Sequence, residues 1–375
     1  MMLEPVVPAS NLSTCMFPRD QEVLLHYLRA GAVWSKDIRA SSGRTMAHSH
    51  ALLRAQTSNS ARPAMQILQA GDHQVLMQYG ANEMDIKLNF RAQALQQALS
   101  GEPVAGIRET AVGFRSVLIT FDPSSISRTS LLDELVEREE SVPNLDSLVL
   151  QSRTVTMPIA FDDAMTRAAV ERYRISVRSD APNVRDGDNI DYIVHCNGLL
   201  SREDFYDTFT EATWWTAFIG YFPGLPFLYS LDPCTQLSAP KYNPARMWTA
   251  EGCLALGGPC VAIYPMSVPG SYQLFGRTLP VWNRVFSADP ADDVPAPAAA
   301  RSNVLRTADR VNFSRVSEPE LLAMRLEVFE GTYSYPAAHD NFVVSEYLKG
   351  IAPLTSVAES IAGKRHIAAS RAEIP

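Results

Sequence analysis

The chain is 375 residues long, 46% hydrophobic and 20% charged, the composition of a globular protein with room for two domains or for one large domain with extensions. Its formal net charge of −8 leaves no electrostatic footprint for nucleic acid and disfavours an anionic membrane surface. Cys15, Cys196, Cys234, Cys253 and Cys260 form an odd set without a Cys-x-x-Cys pair, which points away from a zinc knuckle or a disulfide scaffold and towards a reducing, cytoplasmic setting.

Residues 1–64 read as an N-terminal extension, partly disordered, with one helix over 20–29 and no basic segment leading an apolar run, so no secretory signal is expected. His48 and His50 lie in a polar stretch without a third ligand, which is a solvated loop and not a metal site. From Met65 the pattern sharpens. Strands are expected over 66–70 and 74–79 around the turn Gly71-Asp72-His73, then a helix over 86–99, strands over 107–111 and 116–121, and a helix over 130–139. That order predicts an α+β domain over 65–150 with its helices on one face of an antiparallel sheet.

A Ser/Pro/Asn-rich junction at 141–147 leads to a strand at 155–159 and to a helix ending near Arg174, capped by Asp162 or Asp163. Residues 179–188 read as a loop, 190–194 as helical, and Ser201 with Asp204 as a capping box for a helix reaching Thr213. The uncharged run 212–231 is broken by Gly220, Pro223, Gly224 and Pro226, so it reads as a buried helix end and a buried loop instead of a membrane span.

The stretch 240–283 carries the densest chemistry. Short apolar runs such as 260–264 alternate with Gly and Pro signals, the pattern of short strands and tight turns in a barrel or sandwich. Lys241, Tyr242, Asn243, Arg246, Gln273 and Arg277 set donors among aromatics and beside Gly257-Gly258. Arg offers a planar fork to a carboxylate or phosphate, and glycine lets a ligand approach the backbone. One arginine alone reads as a surface charge; the set reads as a water-poor pocket floored by the paired glycines. Beyond it lie a Pro/Ala-rich linker at 286–306 and a C-terminal helical extension at 307–375, where Ser317 and Glu320 form a capping box.

These strings resemble the KipI-type half of the carboxyltransferase domain of urea carboxylase (urea amidolyase), subdomains C and D. The same half occurs as the B-type subunit of 5-oxoprolinase, also called allophanate hydrolase subunit 1. The resemblance rests on 241–249, Gly257-Gly258 and 270–278, on Ala70-Gly71-Asp72, Leu88-Asn89 with Arg91, Arg115-Ser116 and Phe121-Asp122-Pro123, and on the loop 218–227; it covers 65 to about 351. Ser271 departs from a family Gly, and Phe209-Thr210 stands where many oxoprolinase-type members have His-Ser. The 218–227 loop is similar to the oxoprolinase type, whereas 241–248 is similar to the urea carboxylase type.

The resemblance implies an α+β fold, an N-terminal α+β sandwich domain followed by a cyclophilin-like β-barrel domain over 151–285. It also implies a carboxyltransferase component acting on a urea, amide or lactam-type small molecule. Lys241, Asn243 and Arg246 would carry catalysis, with Tyr242, Trp248, Gly257, Gly258, Tyr272, Gln273 and Arg277 binding substrate and no metal. The chain has no Met-Lys-Met attachment motif, so biotin would come on a partner, with a KipA-type half completing the site. The alternative is a stand-alone repurposed barrel, either a ligand-binding or regulatory protein or a biotin-independent isomerase or cyclase. On the first reading Arg246→Lys weakens ligand binding with little change in melting temperature, because a point charge replaces a fork.

Overall fold

The computed structural model describes residues 51–59, 62–185, 187–282 and 303–375, and every element and count below is of those residues. The helix expected over 20–29, His48, His50, Asn283 and most of the linker lie outside them. The first sheet grows from strict alternation: β3 (Gln74–Tyr79) buries Val75, Met77 and Tyr79, and β5 (Ser116–Phe121) buries Val117, Ile119 and Phe121. With β1 (Leu52–Gln56), β2 (Met65–Gln69) and β4 (Ile107–Val112) they form an antiparallel sheet ordered β1-β2-β3-β5-β4. Two helices, α1 (Ile86–Gly101) and α2 (Arg128–Ser141), lay Leu88, Leu95 and Leu99, and Leu131, Leu132 and Leu135, on its apolar face. Strand β1 falls in the stretch expected to be an extension, and the reason is visible: it buries no residue and so leaves no pattern.

Three polar residues of this unit do structural work. Arg91 of α1 is 1% exposed and forks onto Glu139 at 2.7 and 2.6 Å, while donating to the carbonyls of Glu139, Val142 and Pro143 where α2 ends. A cation there satisfies orphan carbonyls and the negative end of the helix dipole. Asn89 and Gln93 donate to the Ala217 carbonyl, and Asn89 accepts from the Trp215 indole at 2.7 Å, which fastens α1 to the second sheet.

The second sheet starts with β6 (Val149–Phe161), followed by α3 (Ala164–Ser176), the single-turn α4 (Pro182–Arg185), α5 (Asn189–Asn197) and α6 (Arg202–Glu211). Asp163 is the cap of α3, accepting from the Met165 and Thr166 amides. Next come β7 (Trp214–Ile219) and β8 (Pro226–Ser230), a hairpin where the sequence pattern had suggested a helix end and a loop. Both faces of that hairpin are covered, so its run is uniformly apolar and carries no alternation. The remaining strands are β9 (Arg246–Thr249), β10 (Cys253–Gly257), β11 (Cys260–Ile263), β12 (Val268–Gly270), β13 (Gln273–Arg277), β14 (Arg310–Arg315) and β15 (Ala337–Val343).

The order β13-β10-β11-β8-β7-β14-β6, with β13 also pairing β6, closes seven strands into a ring, and β15 extends β6 on the outside. Alternation along the strands sorts side chains into two layers. Leu254, Leu256, Val261, Ile263 and Phe275 point into the ring, where α6 adds Phe205 and Phe209. Phe209 sits 4.9 Å from the Phe275 ring and 5.0 Å from Trp214 and Phe313, so the interior is filled by an aromatic core. Cys253, Ala255, Ala262 and Leu274 point outward, beneath α3, α4 and the separate two-stranded ribbon β9–β12. The chain ends with α7 (Glu318–Glu330), whose capping box of Ser317 and Glu320 is formed as expected, then α8 (Val344–Ile351) and α9 (Thr355–Arg371). No described helix is long and apolar enough to cross a membrane.

Candidate functional site

The candidate side chains gather in the outer layer, between the ring and the β9–β12 ribbon, and not inside the ring. Arg246 opens β9 and is 1% exposed. Its guanidinium lies 4.4 Å from the Tyr242 ring centroid and donates to the Tyr272 carbonyl at 2.5 Å and to Thr249 Oγ1 at 3.1 Å, while Nε has no partner. Among the described residues no carboxylate pairs with it, although a buried charge ordinarily requires one. Tyr242 is fixed in turn: its hydroxyl donates to Asn189 Oδ1 at 2.6 Å, its ring meets Tyr173 edge-on, and burial pushes its hydroxyl up to about 12.

Lys241 is exposed, with its ammonium 5.2 Å from the Tyr272 ring centroid and no carboxylate partner among the described residues. Tyr272 therefore joins the two cations, one over its ring and one on its carbonyl. Gly257 is not an open floor: a Cβ there would fall 2.2 Å from the Tyr272 ring, so the glycine exists to let that ring lie flat. Gly258, at φ +56, turns the β10–β11 hairpin and faces open space. Trp248 is half-buried beneath Arg172, and Asn243 is exposed, its carbonyl accepting from Arg178 at 2.9 Å.

Two members of the expected set belong elsewhere. Gln273 is fully buried and bonded at both amide atoms, donating to the Pro240 carbonyl at 2.6 Å and accepting from Asn183 at 2.9 Å, which makes it a brace for the 240–243 segment. Arg277 lies at the far end of β13, donates to the Glu251 carbonyl, and is joined to Glu251 at 3.7 Å alongside Arg325. Burial and the neighbouring Arg325 charge lower its pKa. That cluster clamps α7 to the ring.

Residues outside the sequence expectation complete the site. Asn189 is buried and accepts from both Tyr242 and the Leu274 amide. The Tyr264 hydroxyl fills the place of a side chain at Gly270, where a Cβ would lie 2.1 Å away. Asn189 followed a capping Asp188 in sequence, and only the position of α5 turns it towards Tyr242.

Thiol chemistry has no place here. Burial pushes Cys196 up to about 11 and Cys253 and Cys260 up to about 12, so the reactive thiolate is scarce at neutral pH. In the native protein at pH 8 these three thiols should not react with a thiol-specific disulfide reagent, and all three should react once the chain is unfolded. A burst from any of them in the folded state, read by peptide mapping, would contradict this.

A model of the carboxyltransferase domain, subdomain C and D, matches residues 65–291. Urea amidolyase of Saccharomyces cerevisiae is 34% identical over 294 residues, covering 78% of this chain and 15% of that protein. The B-type subunit of the 5-oxoprolinase of Bacillus subtilis is 24% identical, over 70% of this chain and 97% of its own length. Among solved structures, the urea carboxylase of Kluyveromyces lactis superposes with a TM-score of 0.73 at 30% identity, over 85% of this chain and 28% of that one. The chain thus spans well under a third of the urea amidolyase and urea carboxylase relatives.

Proposed function

The chain belongs to the family of carboxyltransferase domains, subdomains C and D, and from that premise we propose that it is one half of a carboxyltransferase acting on a urea, amide or lactam-type small molecule with a KipA-type partner half. The seven-strand ring supports reading the second part as a cyclophilin-like β-barrel, after an α+β sandwich over 65–150, with one ring strand, β14, and the added β15 drawn from the segment 307–375 expected to be only a helical extension of a barrel over 151–285. The observation that carries the functional reading is the pair of cations bracketing Tyr272: Lys241 open to solvent and Arg246 buried, neither matched by a carboxylate among the described residues. Such a donor set fits an anionic carboxyl group passing to a carbonyl-containing acceptor. Biotin, delivered on a partner's carrier, would supply that carboxyl group.

Within this chain the roles are electrostatic. Lys241 and Arg246 stabilise negative charge as it develops, Arg246 with a field strengthened by its burial beside the apolar outer layer and Lys241 from the solvent side. Asn243 offers an exposed amide to orient the acceptor, and Tyr242, Trp248 and Tyr272 form its walls. Mixed with a separately produced KipA-type half and a biotinylated carrier, the chain should co-purify with them and support carboxyl transfer. Lys241→Met should slow that transfer about tenfold, by loss of one exposed cation, with an unchanged melting temperature. A monomer that turns over a substrate without biotin, ATP or partner would reject the proposal.

A further inference from the structure

The β7–β8 connection holds a bulky residue in a backbone conformation that such residues avoid. Tyr221 has φ +67, in the left-handed region, and is 69% exposed. For a side chain of this size that is an outlier costing about 1–2 kcal/mol, and strain of this kind persists only where the surroundings impose it. Here they do. The Gly220 amide donates to the Leu225 carbonyl, the Phe222 amide to Gly220 and the Leu225 amide to Phe222, which winds the loop tightly. Gly224, at φ +73, is pressed against Trp282, where a Cβ would lie 2.5 Å from the indole.

The strain does not serve burial, since the ring stays mostly in solvent. What it does is turn the ring edge-on to Phe222, 4.7 Å between centroids, while Phe222 itself packs into the outer layer with Tyr242, Tyr264 and Trp248. A glycine or an asparagine would reach this conformation more easily at position 221, so the loop gives up stability to keep an exposed aromatic ring against Phe222, which packs on the outer layer.

Resting on the site assignment made above, we propose that Tyr221 is a specificity-determining residue: its ring covers the open face of the site and stacks on a planar, neutral amide group of the acceptor. The chemistry fits, because a flat amide presents a polarised π face to an aromatic ring while its edge remains free for Lys241 and Asn243.

The test uses the full chain and direct calorimetric or NMR binding of urea and of 2-pyrrolidinone, without partner or biotin. Wild-type protein should bind at least one of them. Tyr221→Phe should hold the dissociation constant within about twofold, whereas Tyr221→Asn should weaken it about three- to tenfold, the range of one stacking contact. The same Asn variant should match or exceed the wild-type melting temperature, since Asn tolerates the left-handed region. Absence of binding to both probes, equal affinity of the Asn variant, or a lowered melting temperature with unchanged affinity would each overturn the proposal. Amide binding that depends on Tyr221 in a chain that supports no carboxyl transfer would instead sink the carboxyltransferase reading and leave this one standing.

Discussion

Replacing Arg246 with Met is expected to lower carboxyl transfer in the reconstituted system by about 10²–10³-fold, the usual consequence of deleting one preorganised donor for developing charge. No carboxylate faces Arg246 among the described residues, so its removal strands no opposite charge, and stability should fall by the two hydrogen bonds to Tyr272 and Thr249 and the stacking on Tyr242, roughly 1–3 kcal/mol in all. Arg246→Lys should fall between the two proteins in rate and also lower the melting temperature. Here the structure revises the sequence expectation of little thermal change: at 1% exposure the planar fork makes two bonds and stacks on Tyr242, and a single ammonium cannot reproduce all three. A Met variant with near wild-type turnover but a lower melting temperature would assign Arg246 to the scaffold alone.

The contrasting case is Arg91. Arg91→Met should cost about 3–5 kcal/mol in a guanidinium chloride unfolding curve, because it leaves the Glu139 carboxylate buried and the Pro143 carbonyl without its donor, while the Val142 carbonyl keeps the bond from Arg62. Arg62, 3.0 Å from Glu139, compensates part of the loss and places the value near the lower end. Adding Glu139→Leu should recover a large part of it, since removing both charges removes the stranded one. Additive losses in the double variant would mean that the pair is not the source of the effect. Turnover per folded molecule should be unchanged, for Arg91 belongs to the first sheet unit and touches nothing in the outer layer.

The two arginines show how much of the site could be read beforehand. Leu88-Asn89 with Arg91 matched a family string as clearly as Lys241 to Trp248 did, yet its residues turn out to brace α1 against α2 and β7. A string match reports that positions are retained in a family; it does not distinguish a brace from a ligand. Exposure and missing partners make that distinction, and neither exists until the layers assemble. Gln273 shows the same limit, being polar in a stretch of glycines and aromatics and yet bonded to Pro240 and Asn183.

By itself the sequence determined the short-range order: β3 and β5 residue for residue, the helices of the first unit, the cap at Ser317, a cap at Asp162 or Asp163 that the structure places at Asp163, and membership of the carboxyltransferase subdomain family. These follow from period and capping chemistry, which act within a few residues. Only the tertiary structure decided who shares a site. Gln273 and Arg277 are about 13 Å apart along one strand, so Arg277 joined α7 while Tyr272, at the other end, met Lys241 and Arg246. Asn189, Tyr264 and Tyr221 arrived from three separate elements. Which face of the ring each strand turned outward, and what covered it, is a matter of register and packing between segments far apart in the chain, and no local pattern encodes that.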